Sequence, residues 1–167
     1  MSYEVREATK DDKPFLWQML YVAAHMEEAG ESLEEAKKNP DLARYVAGWG
    51  QADDFGFIAI DCASGEPIGA AWCRLFKGDN RAYGYLNDQT PEVAIGIAKA
   101  HRNKGLGTTL MQALIEYAKG NYPAISLSVR QNNPACHLYE RLGFKKVPAT
   151  EVTNHVGSQS ITMNLEF

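Results

Sequence analysis

Residues 95–110 read Ile95-Gly96-Ile97-Ala98-Lys99-Ala100-His101-Arg102-Asn103-Lys104-Gly105-Leu106-Gly107-Thr108-Thr109-Leu110. An apolar strand runs into a basic, glycine-containing loop that opens directly onto a helix. This is the sequence form of an anion cradle. Gly105 and Gly107 let the backbone approach a phosphate, the unpaired amides of the first helical turn point at it, and Arg102 and Lys104 add positive charge. Two common phosphate motifs fail on spacing. No G-x-x-x-x-G-K-[ST] string occurs, and Gly105-x-Gly107 is followed by Leu110 where the dinucleotide fingerprint needs glycine or alanine.

Outward from this loop, Val93 to Ile97 is a short apolar strand, Gly105 to Lys119 an amphipathic helix and Ala124 to Val129 a second strand. Strand, helix and strand in succession form a βαβ unit, so the two strands are expected to be parallel neighbours with a right-handed crossover. Asn133 to Leu142 follows as a helix ended by Gly143, then strands at Phe144 to Val147 and Ser160 to Leu165. Upstream, Tyr3 to Glu7 is a strand. Thr9 with Asp12 and Pro14 signals a helix entry, and apolar residues at 15, 16, 19, 20 and 23 give that helix one buried face, with Gly30 as its expected end. Ser32 then precedes Leu33-Glu34-Glu35-Ala36-Lys37-Lys38, and Pro40 opens a further turn through Leu42, Tyr45, Val46 and Trp49. Phe55 to Asp61 and Pro67 to Phe76, joined by Ser64-Gly65-Glu66, predict an antiparallel hairpin. Residues 77–91 are a polar excursion. The expected fold class is α/β (α+β mixed): a mixed, mostly antiparallel sheet of about seven strands with a parallel pair and about four helices on both faces. No linker or repeat divides residues 1–167, so one domain is expected.

The pattern [QR]-x-x-G-x-[GA] after a strand is met by Arg102-Asn103-Lys104-Gly105-Leu106-Gly107. A second segment, Leu127-Ser128-Val129-Arg130-Gln131-Asn132-Asn133-Pro134-Ala135-Cys136-His137-Leu138-Tyr139-Glu140-Arg141-Leu142-Gly143-Phe144, supplies an Asn, an Ala, a Leu-Tyr pair and a closing Gly-Phe. In these residues the chain resembles the GCN5-related N-acetyltransferase (GNAT) family, and Val5-Arg6-Glu7-Ala8-Thr9 with Asp12 resembles that family's first strand and helix entry.

The resemblance implies a GNAT-like fold with acetyl-coenzyme A bound where the two parallel strands splay apart. Backbone amides around Ile97, Ala98 and Lys99 would take the pantetheine arm, and Arg102, Asn103, Lys104, Gly105, Leu106, Gly107 and Thr108 the pyrophosphate. Lys99 stands where many members have proline. Either Asn132, seven residues before Tyr139, or Asn133, an N-cap candidate beside Pro134, would meet the cofactor. The implied reaction is direct acetyl transfer to a primary amine. It requires a neutral amine, a donor to the developing oxyanion and a proton for the departing thiolate. Tyr139 is assigned as the acid, the Ile97 N–H as the oxyanion donor and Glu92 as the candidate base. Tyr83, Tyr85, Asp88, Asp53 and Asp54 are further acceptors for an amine pocket. A noncatalytic coenzyme A-binding regulatory module of the same fold is the alternative. A nucleotide-binding α/β protein would leave the Asn-Pro-Ala to Leu-Tyr segment unexplained.

Composition bounds the partners. The chain has 167 residues, 45% apolar and 23% charged, without an apolar run of membrane-span length or a signal-peptide pattern, so a cytoplasmic protein without membrane association is expected. Cys62, Cys73 and Cys136 are odd in number and lie in apolar patterns, predicting buried thiols, and neither His101 nor His137 sits in a ligand set, so no metal is expected. The net charge of −4 argues against nucleic acid as partner. It conceals a gradient. Residues 1–90 hold 16 acids and 9 bases, and residues 91–167 hold 5 acids and 8 bases. The basic half holds the cofactor loop and the acidic half builds most of the acceptor side, which favours a cationic small-molecule or peptide amine. The strands from residue 145 onward offer a surface for a homodimer. Added salt is expected to raise KM for the amine in steady-state assays, and a salt-insensitive KM would remove the charge argument.

Overall fold

The computed structural model describes residues 2–153 and 157–167. The strands are β1 (Tyr3–Glu7), β2 (Phe55–Asp61), β3 (Pro67–Arg74), β4 (Glu92–Ile97), β5 (Ala124–Arg130), β6 (Lys145–Lys146), β7 (Val152–Thr153) and β8 (Gln159–Glu166). The helices are α1 (Lys13–Ala23), α2 (Leu33–Lys38), α3 (Pro40–Ala43), α4 (Leu106–Lys119) and α5 (Ala135–Arg141). The sheet runs β1-β2-β3-β4-β5-β8-β6, with β7 also pairing β8. Every described pairing is antiparallel except β4 with β5, as the βαβ reading requires.

The chain enters α1 through the expected capping box. The Thr9 hydroxyl accepts from the Asp11 N–H at 3.2 Å, and Asp12 Oδ2 accepts from the Thr9 N–H at 2.7 Å. Arg6 adds two 2.8 Å contacts to the same carboxylate, and that hydrogen-bonded guanidinium holds Asp12 below the usual carboxylate range. Ser32 and Glu35 make a second reciprocal box at α2.

Both faces of the central strands are covered. Phe55, Phe57 and Ala59 of β2 and Ala71 and Cys73 of β3 pack toward α4, with Leu110, Met111 and Leu114. Ile58 and Ile60 of β2 and Ala70 and Trp72 of β3 pack toward α1, with Leu16, Met19 and Leu20. The period of two along each strand thus serves two cores, which explains the nearly unbroken apolar runs.

Four expectations change. There are eight described strands, because the two-residue β7 is too short and too polar to register as an alternating pattern. There are five α-helices, because Pro40–Ala43 closes a separate turn of helix under an Asn39 cap. Helix α1 stops at Ala23, seven residues before Gly30. His25 takes the left-handed conformation (φ 56°), and the Met26 N–H to Tyr21 carbonyl (3.2 Å) and His25 N–H to Val22 carbonyl (3.2 Å) bonds close a Schellman motif without glycine. Cys62 is exposed, since it lies past the end of β2 in the hairpin turn, whereas Cys73 and Cys136 are buried.

One glycine sets the separation of α1 from the sheet. A Cβ on Gly96 of β4 would lie 2.4 Å from the Met19 carbonyl oxygen. Gly96→Ala is therefore expected to destabilise the chain by about 1–3 kcal/mol through forced backbone displacement. Thermal unfolding of the variant checks this, and an unchanged Tm would deny the close approach.

Candidate active site

Strands β4 and β5 pair over only two positions, Glu92 with Ser126 and Val93 with Leu127. Beyond them the strands diverge. On its other edge β4 continues its ladder with β3, and the Ala98 N–H still donates to the Ile68 carbonyl at 2.8 Å. Backbone groups alternate in direction along a strand, so Ile95 and Ile97 present theirs to the gap beside β5. The gap opens into a cavity of about 140 Å³, whose walls include Tyr45, Tyr83, Ile95, Ser128, Asn133 and Tyr139.

The loop read as a candidate anion cradle lies at the far end of β4. Ala98 leads into a single 3-10 turn at Lys99–His101, and Asn103 (φ 62°) and Gly105 (φ 81°) take left-handed backbone conformations. Gly105 is the N-cap of α4, and an added Cβ there would be strained by the positive φ. Helix α4 is fourteen residues long, so the amides of its first turn, at Leu106, Gly107 and Thr108, lack intrahelical acceptors and carry the positive end of the dipole. Leu106 is buried, leaving only its backbone for a ligand. Arg102, Asn103 and Lys104 are exposed at the rim, and Arg102 Nε donates to the Ile97 carbonyl at 3.3 Å. Ala98 spends its amide on β3, while the alternation along β4 turns the Ile97 amide toward the gap.

Tyr139 enters the cavity wall from α5. Its ring packs edge-on against Phe144 (6.0 Å, 62°), and burial pushes its phenol up, so the hydroxyl stays protonated. The end of α5 is fixed by the Phe144 N–H to Tyr139 carbonyl bond of 3.0 Å, with Gly143 in the positive-φ position foreseen for it. Asn133 lines the cavity and accepts the Ala135 N–H at 2.9 Å, whereas Asn132 is exposed. The helix begins at Ala135 with Pro134 at its N-cap, and the Asn133 side chain holds the turn that leads into it.

Glu92 opens β4 and is 2% exposed. One carboxylate oxygen accepts the Gly84 N–H at 3.0 Å, and the other accepts a short hydrogen bond from the Tyr45 hydroxyl. Burial raises its pKa to about 7, against the lowering effect of the Tyr45 and Gly84 hydrogen bonds and of Arg44. The Ser126 hydroxyl donates to the Gly84 carbonyl at 2.8 Å, so the 77–91 excursion is pinned to both parallel strands where their pairing ends.

Against this geometry, the chain matches the model of the Acetyltransferase (GNAT) family over residues 4–144. The chain belongs to the GNAT family. N-alpha-acetyltransferases of Saccharolobus solfataricus and Sulfurisphaera tokodaii are 47% and 43% identical to it over 58 residues, 33% of this chain and 35% of each of those proteins. The match thus spans about a third of those relatives. An aminoglycoside acetyltransferase solved with coenzyme A superposes with a TM-score of 0.63 at 24% identity, covering 99% of this chain and 95% of that one. A chimera of Vibrio cholerae spermidine N-acetyltransferase gives 0.64 at 22%, covering 99% and 96%. At such identities these likenesses speak for the fold.

Within this GNAT chain the other polar candidates separate. Tyr83 lines the cavity. Asp53 instead accepts from the Tyr122 hydroxyl (2.9 Å), Asp54 pairs with Arg74 (3.0 Å), and Tyr85 donates to Asp88 (2.6 Å), so these carboxylates are committed to local structure. Tyr45, His25 and Ser128 are wall residues that sequence reasoning missed. Tyr45 read as one more apolar residue of its helical turn. The signal that could have singled it out was a hydroxyl among residues destined for the core. Among the described residues, no three His, Cys, Asp or Glu side chains are grouped to hold a metal.

The Glu92 shift has a stability consequence. Between its ordinary value of 4.5 and about 7 the folded chain holds the proton and the unfolded chain does not, so this group's contribution is full below 4.5 and falls as pH rises. Over that window wild type is expected to lose about 3 kcal/mol relative to Glu92→Gln. Denaturant unfolding of both at several pH values measures it, and parallel pH curves would refute the buried carboxyl.

Proposed function

We propose that residues 1–167 act as one GNAT domain that transfers the acetyl group of acetyl-coenzyme A directly to a primary amine. The observation that carries this reading is the shared cavity, where the unpaired edge of β4 meets the Tyr139 phenol on one element and the Tyr45 hydroxyl, backed by Glu92, on another. The residues fit the donor. A backbone edge without a strand partner suits the alternating amides of a pantetheine arm, and the left-handed turn at Gly105 exposes the first amides of α4 to a pyrophosphate. Bound acetyl-coenzyme A supplies an activated thioester.

The chain's own groups supply the rest. The Ile97 N–H, directed into the gap, donates to the carbonyl oxygen as charge develops there. Tyr139, held protonated by burial, returns a proton to the departing thiolate. Glu92, poised near neutrality, accepts the proton that the amine must lose. The acceptor enters from the side built by α1, α2, α3 and residues 77–91, the acidic half of the chain, and a cationic amine suits that balance. The relatives named N-alpha-acetyltransferase make a peptide α-amine one class to include beside polyamines and amino sugars. The unpaired buried thiols Cys73 and Cys136 suit a reducing, cytoplasmic compartment.

Thiol release from acetyl-coenzyme A across such a panel tests the activity, and no release with any amine would favour a noncatalytic coenzyme A-binding module. Tyr139→Phe is expected to lower kcat about 100-fold while leaving acetyl-coenzyme A affinity unchanged. Unchanged turnover would remove the acid assignment.

A further inference from the structure

Glu92 does not itself line the cavity; Tyr45 and Tyr83 do. The carboxylate lies behind the Tyr45 phenol, 2% exposed, with one oxygen on the Gly84 amide and the other on the Tyr45 hydroxyl. A phenol oxygen has one proton to give and lone pairs to receive. Tyr45 gives its proton to Glu92 and receives the Tyr83 N–H at 3.2 Å, and it is the residue that stands between this carboxylate and the cavity it lines.

We propose that Tyr45 is a catalytic proton relay, receiving the proton of the acceptor ammonium as it passes its own hydroxyl proton to Glu92. The proposal rests on the reading of Glu92 as the base. The exchange balances. One N–H bond of the ammonium and the Tyr45 O–H bond break, a new Tyr45 O–H bond and a Glu92 O–H bond form, and the products are a neutral amine, an unchanged phenol and a neutral carboxyl group.

The surroundings hold Tyr45 in place for this. The Trp72 indole N–H donates to the Tyr45 carbonyl at 2.9 Å, and Phe76 packs edge-on against its ring (5.8 Å, 80°). Burial keeps the phenol protonated, so it carries a proton through without resting as phenolate. The other groups facing Glu92 are Arg44, from the same segment as Tyr45, which favours the carboxylate, and Cys73 of β3, whose thiol burial keeps neutral. Neither stands in the cavity wall, so neither offers the amine a route to the carboxylate.

The test compares Tyr45→Phe, Glu92→Gln and the double variant with wild type, using an amine acceptor identified by thiol release. Tyr45→Phe is expected to lower kcat about 100-fold with acetyl-coenzyme A affinity unchanged, and to move the acidic limb of the pH–kcat profile upward, because the lost hydrogen bond had held the Glu92 pKa down. The double variant is expected to be no slower than the worse single one, as for two groups acting in series. A wild-type rate and limb in Tyr45→Phe, with the limb lost in Glu92→Gln, would overturn the relay and leave Glu92 as base. A limb retained in Glu92→Gln would overturn the base and the relay with it. Losses that multiply in the double variant would also overturn the relay. Should Tyr45→Phe fail to fold, Glu92→Asp decides. It keeps the charge but withdraws the carboxylate from Tyr45, so a comparable loss of kcat supports the relay and a wild-type rate overturns it.

Discussion

The brevity of the β4–β5 pairing is the constraint on which the site depends. Two parallel strands with only two paired positions leave main-chain donors and acceptors facing a gap between otherwise well-packed layers. Backbone groups removed from bulk water require partners. Beside the paired positions Gly84 bridges side chains of the two strands, its amide donating to the Glu92 carboxylate and its carbonyl accepting from the Ser126 hydroxyl. Further along, Ile95 and Ile97 turn their backbone groups to the gap with no paired strand position opposite them. The same divergence brings α5 and the segment carrying Tyr45 to a common cavity. Fold and binding site are therefore one fact about strand geometry.

Burial and charge divide the work around that gap. At the cradle the protein offers partial charges fixed in the backbone, since Leu106 is buried and contributes only its amide. Behind the cavity wall it holds a carboxylate whose hydration has been removed and partly replaced by two donors. Removing water raises the affinity for a proton, and the donors restrain that rise. The balance near neutrality follows from the two effects opposing each other.

Sequence patterns carried the framework because the signals there are local. The capping pair Thr9 and Asp12, the left-handed loop at Gly105, the strand-to-helix passage after Ile97 and the stop at Gly143 each depend on residues within a turn of one another. The site was legible in part. Tyr139 and Asn133 were named and line the cavity, but the position of Glu92 behind Tyr45 arises from contacts 47 residues apart. His25 illustrates a different limit. It ends α1 in a conformation usually given to glycine, so the expected stop at Gly30 followed a sound rule that tertiary context overrode. Cys62 shared the apolar pattern of the buried thiols but sits past the end of β2, and β7 is too short to show an alternation at all.

The attachment of Gly84 to Glu92 and Ser126 makes the 77–91 segment a thermodynamic partner of the proton. Lifting that segment from the sheet would break the Gly84 bonds and admit water to the carboxylate, returning it toward the acidity of an exposed glutamate. With the segment seated, Glu92 thus holds its proton more tightly than it would with the segment lifted. Proton affinity and closure are linked variables, so whatever stabilises the seated segment also raises the proton affinity of the carboxyl group beneath it.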